Sequence, residues 1–270
     1  MSAALLQSGY LMESRIVTGL AKAGYFVEPN QRIADSKTGK AREIDIVAEL
    51  WDYNPEMLKE HKLSVSVKFI CAAKNNPNPV VLLTNLPFSP GLPVWESLRE
   101  GCTGLFSSQH TDLRFYEFLA GDEKAYSQYC SFRPKKDNKS EWVAFHPDDF
   151  YDDLEKIVAY CDEEIQFVND LSDNFHRLHL YFPVVILGGD LYVSHQGARP
   201  LSLKKVNMGY YMHFGLKDKK PSQALIAFVT EKHLLKFFEA VNDIARFLER
   251  QFIESTHTTK EGTTKKSRRR

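Results

Sequence analysis

The stretch from Leu63 to Lys74 most constrains what this chain can fold into. Val65, Val67, Phe69, Cys71 and Ala73 recur at every second position, and between them fall Ser64, Ser66, Lys68, Ile70, Ala72 and Lys74. Alternation with a period of two predicts an unusually long strand with one apolar face and one mixed face that carries two lysines. Asn75-Asn76-Pro77-Asn78-Pro79 ends it, because asparagine and proline favour turns over ladder pairing. A strand with one continuous apolar face needs a layer to cover it, so the rest of the chain is read for what can pair with it and cover it.

The segment before it supplies a helix and two strands. Leu6, Tyr10, Glu13, Val17 and Leu20 recur at steps of four and three, which predicts a helix from about Ala3 to Ala23, closed by Gly24, with a carboxylate in its inward stripe. A first strand is expected at Tyr25 to Glu28, a polar turn at Asp35 to Lys40, and a second strand at Glu43 to Ala48. In that second strand Ile44, Ile46 and Ala48 share one face and Asp45 and Val47 the other. Trp51 to His61 reads as a loop or short helix, Val80 to Thr84 as extended, and Pro87 to Pro93 as a loop leading into a helix near Trp95 to Glu100.

Further along, Phe150, Leu154, Ile157, Val158, Cys161, Ile165 and Val168 stripe a helix from His146 to Leu171. Gly188-Gly189 between Phe182–Leu187 and Asp190–Val193 reads as a two-residue β-hairpin turn. Strands are expected at Tyr210 to Phe214 and Ala224 to Thr230, then a helix from about Glu231 to Phe252 striped by Leu234, Leu235, Phe238, Val241, Ile244, Ala245 and Leu248. Residues 254–270 turn to Thr, Lys, Gly and Arg, a composition that cannot bury a core and predicts a disordered basic tail. At 270 residues, with no low-complexity break before that tail, one domain over 1–253 with a central elaboration at about 95–175 is expected.

No run approaches the ~20 apolar residues of a membrane helix, and the N-terminus has no secretory pattern, so a cytoplasmic protein without membrane contact is expected. Cys71, Cys102, Cys130 and Cys161 stand far apart with no paired spacing. This argues against zinc and against a disulfide framework. The formal charge is zero, but lysines group at 135/136/139, 204/205 and 217/219/220 while acids crowd 148–164, so a neutral total can hide a basic groove. The plain alternative is that these lysines are solvated loop residues.

Glu13 from the helix, Asp45 from the second strand and Lys74 from the end of the third form a set with chemical meaning. Oxygen ligands from adjacent elements suit a hard divalent cation, and a lysine beside them can position water and offset charge on a phosphate. In this order (a helix glutamate, Arg42-Glu43-Ile44-Asp45-Ile46, then Phe69 to Pro77) the chain resembles the PD-(D/E)xK nuclease superfamily of restriction endonucleases and Holliday-junction resolvases over roughly residues 9–84. The resemblance implies an α/β, restriction-endonuclease-like mixed central sheet flanked by helices, here with added helices and a C-terminal hairpin and helix. It also implies a nuclease using Mg²⁺ or Mn²⁺, with Asp45, Glu13 and the carbonyl of Ala73 as metal ligands. DNA is favoured over RNA as substrate, restriction or anti-phage defence is the implied setting, and relatives suggest a homodimer or a partner subunit.

The family carries glutamate two residues before its lysine, and here that position is Ala72. Ser66-Val67-Lys68 offers a second register on the same face, also without the acid. Ala72-Ala73-Lys74 is preferred because its lysine ends the strand beside an Asn-rich turn, with Lys68 as a neighbour of the site. Either the natural residue at 72 is glutamate and this form is inactivated, or the site is naturally degenerate and kept for binding nucleic acid or a partner. Lys68, Arg42 and Gln128, the last expected on a helix with Tyr129, are the candidate nucleic-acid contacts. The plain alternatives are a salt-bridged helix-edge Glu13, a solvent-facing Asp45, an ordinary strand-end lysine, and simple amphipathic packing around Gln128.

Overall fold

The computed structural model describes residues 9–34, 39, 41–50, 62–76, 78–86, 99–103, 125–138, 140–195, 202–217, 220–243, 245–247 and 249–250. The expected elements at Trp51–His61 and Pro87–Pro93, and the tail, lie outside them. The chain opens with helix α1 (Tyr10–Lys22) and an antiparallel meander of β1 (Phe26–Ala34), β2 (Ala41–Leu50) and β3 (Leu63–Lys74). Strands β4 (Val80–Leu86), β5 (Arg99–Thr103), β6 (Ala125–Pro134) and β7 (Trp142–Phe145) precede a long helix, α2 (Asp148–Asn169). Then come β8 (His176–Leu187), β9 (Leu191–His195), β10 (Ser202–Val206), β11 (Met208–Lys217) and β12 (Lys220–Thr230). A 3₁₀ turn at Glu231–His233 leads into helix α3, described over residues 234–243, 245–247 and 249–250.

The described strands form one mixed sheet in the order β1-β2-β3-β8-β12-β11-β6-β4-β9-β10, with β5 beside β8 and β7 beside β6. The helices lie on both faces. Met12, Ile16 and Leu20 of α1 and Leu234, Phe237, Phe238 and Val241 of α3 share a cluster with Val67, Phe69, Cys71 and Ala73. Phe150, Leu154, Ile157 and Cys161 of α2 share the opposite cluster with Ile70 and Ala72. The two faces of β3 therefore do separate work, as its alternation requires. Its apolar face meets α1 and α3, and its mixed face meets α2. The parallel ladder from β3 to β8 runs the full length of both strands, from Leu63↔His176 to Lys74↔Leu187. No helix among the described residues is long and apolar enough to cross a membrane.

Several expectations are corrected. Gly188-Gly189 does not close a hairpin, because β9 pairs with β4 and β10 rather than with β8. The glycines serve close approach: a Cβ at Gly189 would lie 2.5 Å from the carbonyl oxygen of Asn76, and one at Gly188 3.1 Å from Asn75 Oδ1. The C-terminal hairpin is instead β11–β12, paired from Met208↔Val229 to Lys217↔Lys220. Arg99–Thr103 is a strand where a helix near Trp95–Glu100 was expected, and Gln128 and Tyr129 lie in β6 rather than on a helix. The buried stripe of α1 is Met12, Ile16 and Leu20, not the stripe through Tyr10 and Glu13. Tyr10 is 73% exposed, and Glu13 sits at the stripe's edge. Ile44 leaves the face of Ile46 and Ala48 and packs on the α2 side. The β2–β3 ladder ends at Ile46↔Cys71, so Ile44 is no longer held to the pleat of β3.

Phe69 anchors the α1/α3 side. Its ring stacks on Phe238 with centroids 3.6 Å apart and packs edge-on to Tyr25 and Phe237. Phe69→Ala removes an aromatic ring that is fully buried among four others and leaves a void their fixed backbones cannot fill. It is expected to lower unfolding free energy by about 3–5 kcal/mol, read as a lower urea midpoint with an unchanged slope.

Candidate active site

The C-terminal end of β3 is where Asp45 and Lys74, two of the candidate side chains, converge. The β2–β3 ladder ends at Ile46↔Cys71, and Asp45 is the next residue beyond it on β2. There the backbone N–H of Ala73 donates to Asp45 Oδ2 at 2.7 Å. A side-chain carboxylate thus takes over where main-chain pairing stops, and a charge-assisted bond of this kind fixes its orientation.

Lys74 shares a strand face with Ala72 and reaches α2. Its ammonium pairs with Asp153 and lies 5.5 Å from the centroid of the Phe150 ring. Lys156 also pairs with Asp153, and its ammonium donates to the carbonyl of Glu43 at 3.2 Å. Asp153 is therefore clamped between two cations and ties α2 to both β2 and β3. Ala72 is 3% exposed within the apolar cluster beneath α2.

Glu13 completes the set from α1. Two effects compete for its proton. A position in the first turn of a helix favours the charged carboxylate, whereas partial burial and the nearby charges of Asp45 and Glu43 disfavour it. The second effect wins: burial first, then Asp45, then Glu43 hold the Glu13 carboxyl above its ordinary range. This end of the sheet thus gathers Glu13, Asp45 and Glu43 into a field of negative charge that a cation would relieve.

The donor chemistry suits a hard divalent cation, with oxygens from Asp45, Glu13 and the Ala73 carbonyl. Ala72 offers no side-chain oxygen, and among the described residues no group of three or more His, Cys, Asp or Glu side chains is arranged to hold a metal.

Of the other sequence candidates, Arg42 is half-buried at the start of β2 opposite Ile33. Lys68 lies six residues back along β3, roughly 20 Å from Lys74 at strand rise. Its ammonium is engaged by Glu164 at 2.6 Å and Glu49 at 3.8 Å, so it is not a neighbour of the Asp45–Lys74 site. Gln128 is exposed on β6, where its Oε1 accepts from the Thr84 hydroxyl at 2.8 Å. Sequence reading missed Asp153 and Lys156. The available signal was an acid three residues after Phe150 and beside Leu154, on the margin of the apolar stripe of α2.

No protein-family model, no curated protein and no solved structure matches the chain.

The raised Glu13 carboxyl has a measurable consequence. A carboxyl that titrates higher folded than unfolded costs nothing below the unfolded range, and its penalty grows as pH rises through the folded range. Glu13→Gln is thus expected to stabilise the fold at pH 7, with the gain vanishing by about pH 3, below the ordinary carboxylate range. Solvent screening at a partly exposed group limits the gain to a fraction of 1 kcal/mol, so Tm at pH 7 should rise by about 1–2 °C.

Proposed function

We propose that the chain has a restriction-endonuclease-like core and is a divalent-metal-dependent nuclease that hydrolyses phosphodiester bonds, in a form impaired by alanine at position 72. The observation that carries this reading is the hydrogen bond from the Ala73 N–H to Asp45, which brings that carboxylate to a residue flanked by position 72 and Lys74. The element order supports it: a helix, a three-strand meander, then a long helix returning to a strand parallel to the third. DNA is favoured over RNA by analogy with the resembled family alone.

Each residue has a chemical role. A divalent cation, when bound, supplies the charge that acidifies the attacking water and offsets the phosphate. Asp45 and Glu13 would hold it, with the Ala73 carbonyl as a further oxygen ligand. Lys74 orients the water and balances negative charge on phosphorus oxygens as the P–O bond to the leaving group breaks. An acid at position 72 would stand between Asp45 and Lys74 and compete with Asp153 for the ammonium. In the present chain that competition is absent, and Asp153 holds Lys74 back against α2.

The same ion pair favours a second reading. A lysine neutralised by a neighbouring helix, beside an alanine packed in an apolar cluster, also suits a degenerate site kept for binding nucleic acid or a partner.

The two readings separate in a plasmid and single-strand cleavage assay with Mg²⁺ and with Mn²⁺. Under the nuclease reading, Ala72→Glu creates cutting that EDTA stops and that a further Lys74→Ala change lowers by about 10²-fold or more. Tight metal-independent binding, with no cutting by any variant, supports the binding module instead.

A further inference from the structure

The C-terminal ends of β3, β8 and β12 lie side by side, because the three strands are parallel: Lys74 pairs with Leu187, and Thr230 pairs with Leu187 from the other side. Ligands of open α/β sheets gather beyond such ends. Thr230 is two strand spacings from Lys74, roughly 10 Å. It is also the residue from which the 3₁₀ turn Glu231–His233 and helix α3 begin, and its N–H donates to the Asn207 carbonyl at 2.9 Å.

Two independent features mark this helix start. The first is a hydroxyl left unanswered. An N-cap threonine ordinarily accepts from the N–H of the second or third helical residue, here Lys232 or His233, but Thr230 makes no cap bond. The residue is 9% exposed, and its buried Oγ1 has no hydrogen-bond partner among the described residues. A hydroxyl buried and unpaired costs stability, and the N–H groups it would serve have no acceptor within the helix either.

The second feature is charge. A helix N-terminus is partially positive, so acids belong in its first turn and cations do not. The acid present there, Glu231, is taken by Arg15 through two hydrogen bonds of 2.9 Å. Lys232, His233 and Lys236 follow it. Lys232 and Lys236 are exposed, and neither has an ion pair among the described residues. Burial and the charge of Lys236 hold His233 below the ordinary histidine range. Two ammonium groups thus reinforce a helix end that is already positive, beside N–H and hydroxyl donors still to be used.

We propose that the start of α3 is a binding site for a phosphate group: its oxygens accept from the N–H groups of Lys232 and His233 and from the Thr230 hydroxyl, while Lys232 and Lys236 balance its charge. Oriented N–H groups at a helix N-terminus, a hydroxyl at the cap and uncommitted ammonium groups together suit a tetrahedral oxyanion. Inorganic phosphate and a phosphate carried on a nucleic-acid strand offer the same oxygens. The site stands on its own residues, and only the second source rests on the nuclease reading.

The test is amide NMR of the ¹⁵N-labelled full chain titrated with potassium phosphate, against potassium chloride at equal ionic strength. The expected result is saturable shifts of the Lys232 and His233 amides. Thr230→Val should weaken phosphate binding by about tenfold or more, and Lys232→Gln by about two- to five-fold. In chloride, Thr230→Val should raise Tm, because it removes the unpaired hydroxyl at nearly constant volume. Phosphate should raise the Tm of the unaltered chain more than that of Thr230→Val. Displacement of phosphate by oligo(dT) assigns the strand as the source, and lack of displacement assigns free phosphate; the site stands in both cases. Shifts that do not saturate, that appear equally at the first turn of α2, or that persist undiminished in Thr230→Val overturn the proposal. The nuclease reading is judged separately by the cutting of the Ala72→Glu form, so either assignment can fail alone.

Discussion

Helix α2 is bolted to β3 by two lysines of that one strand, and the surroundings of Ala72 and Lys74 follow from this. Lys68 meets Glu164 near the C-terminal end of the helix, and Lys74 meets Asp153 near its N-terminal end. Six residues of strand span about 20 Å and eleven of helix about 16 Å. The two bolts therefore match in reach only if the helix runs antiparallel to the strand, as a chain returning to a parallel β8 must. The apolar side chains between the bolts, Ile70 and Ala72 against Leu154, Ile157 and Cys161, fill the space under the helix. On the other face, Phe69 and its neighbours bind α1 and α3. A strand read in two faces thus fixes three layers.

The same arrangement creates tension at one end. Glu13, Asp45 and Glu43 gather there, and burial with mutual repulsion raises the Glu13 carboxyl. A fold selected for stability alone gains nothing from like charges brought together beside a half-buried lysine. Asp153 takes up the Lys74 charge beside the buried Ala72.

Much of the frame was legible because its signals are periodic. The bounds of β3 agree with its alternation from Leu63 to Lys74, and the stripe from Phe150 to Val168 marks α2. What escaped the sequence was long-range. Gly188-Gly189 has the composition of a hairpin turn, yet a Cβ at either position would crowd atoms of Asn75, Asn76 and Asn78. Glu13 matches a heptad-like stripe on paper, but α1 turns Met12, Ile16 and Leu20 inward instead. Asp45 and Lys74 could be nominated from order and spacing. Asp153 could not be assigned to them, because 79 residues separate it from Lys74 and only the crossover of α2 brings it there.

The most direct measurement is a Mn²⁺ titration followed by electron paramagnetic resonance on three forms: the chain as it stands, Ala72→Glu, and Ala72→Glu combined with Asp45→Asn. One bound Mn²⁺ is expected in Ala72→Glu, held much more weakly in the other two. Equal Mn²⁺ uptake by all three, or none by any, would contradict a metal site built on Asp45 and position 72.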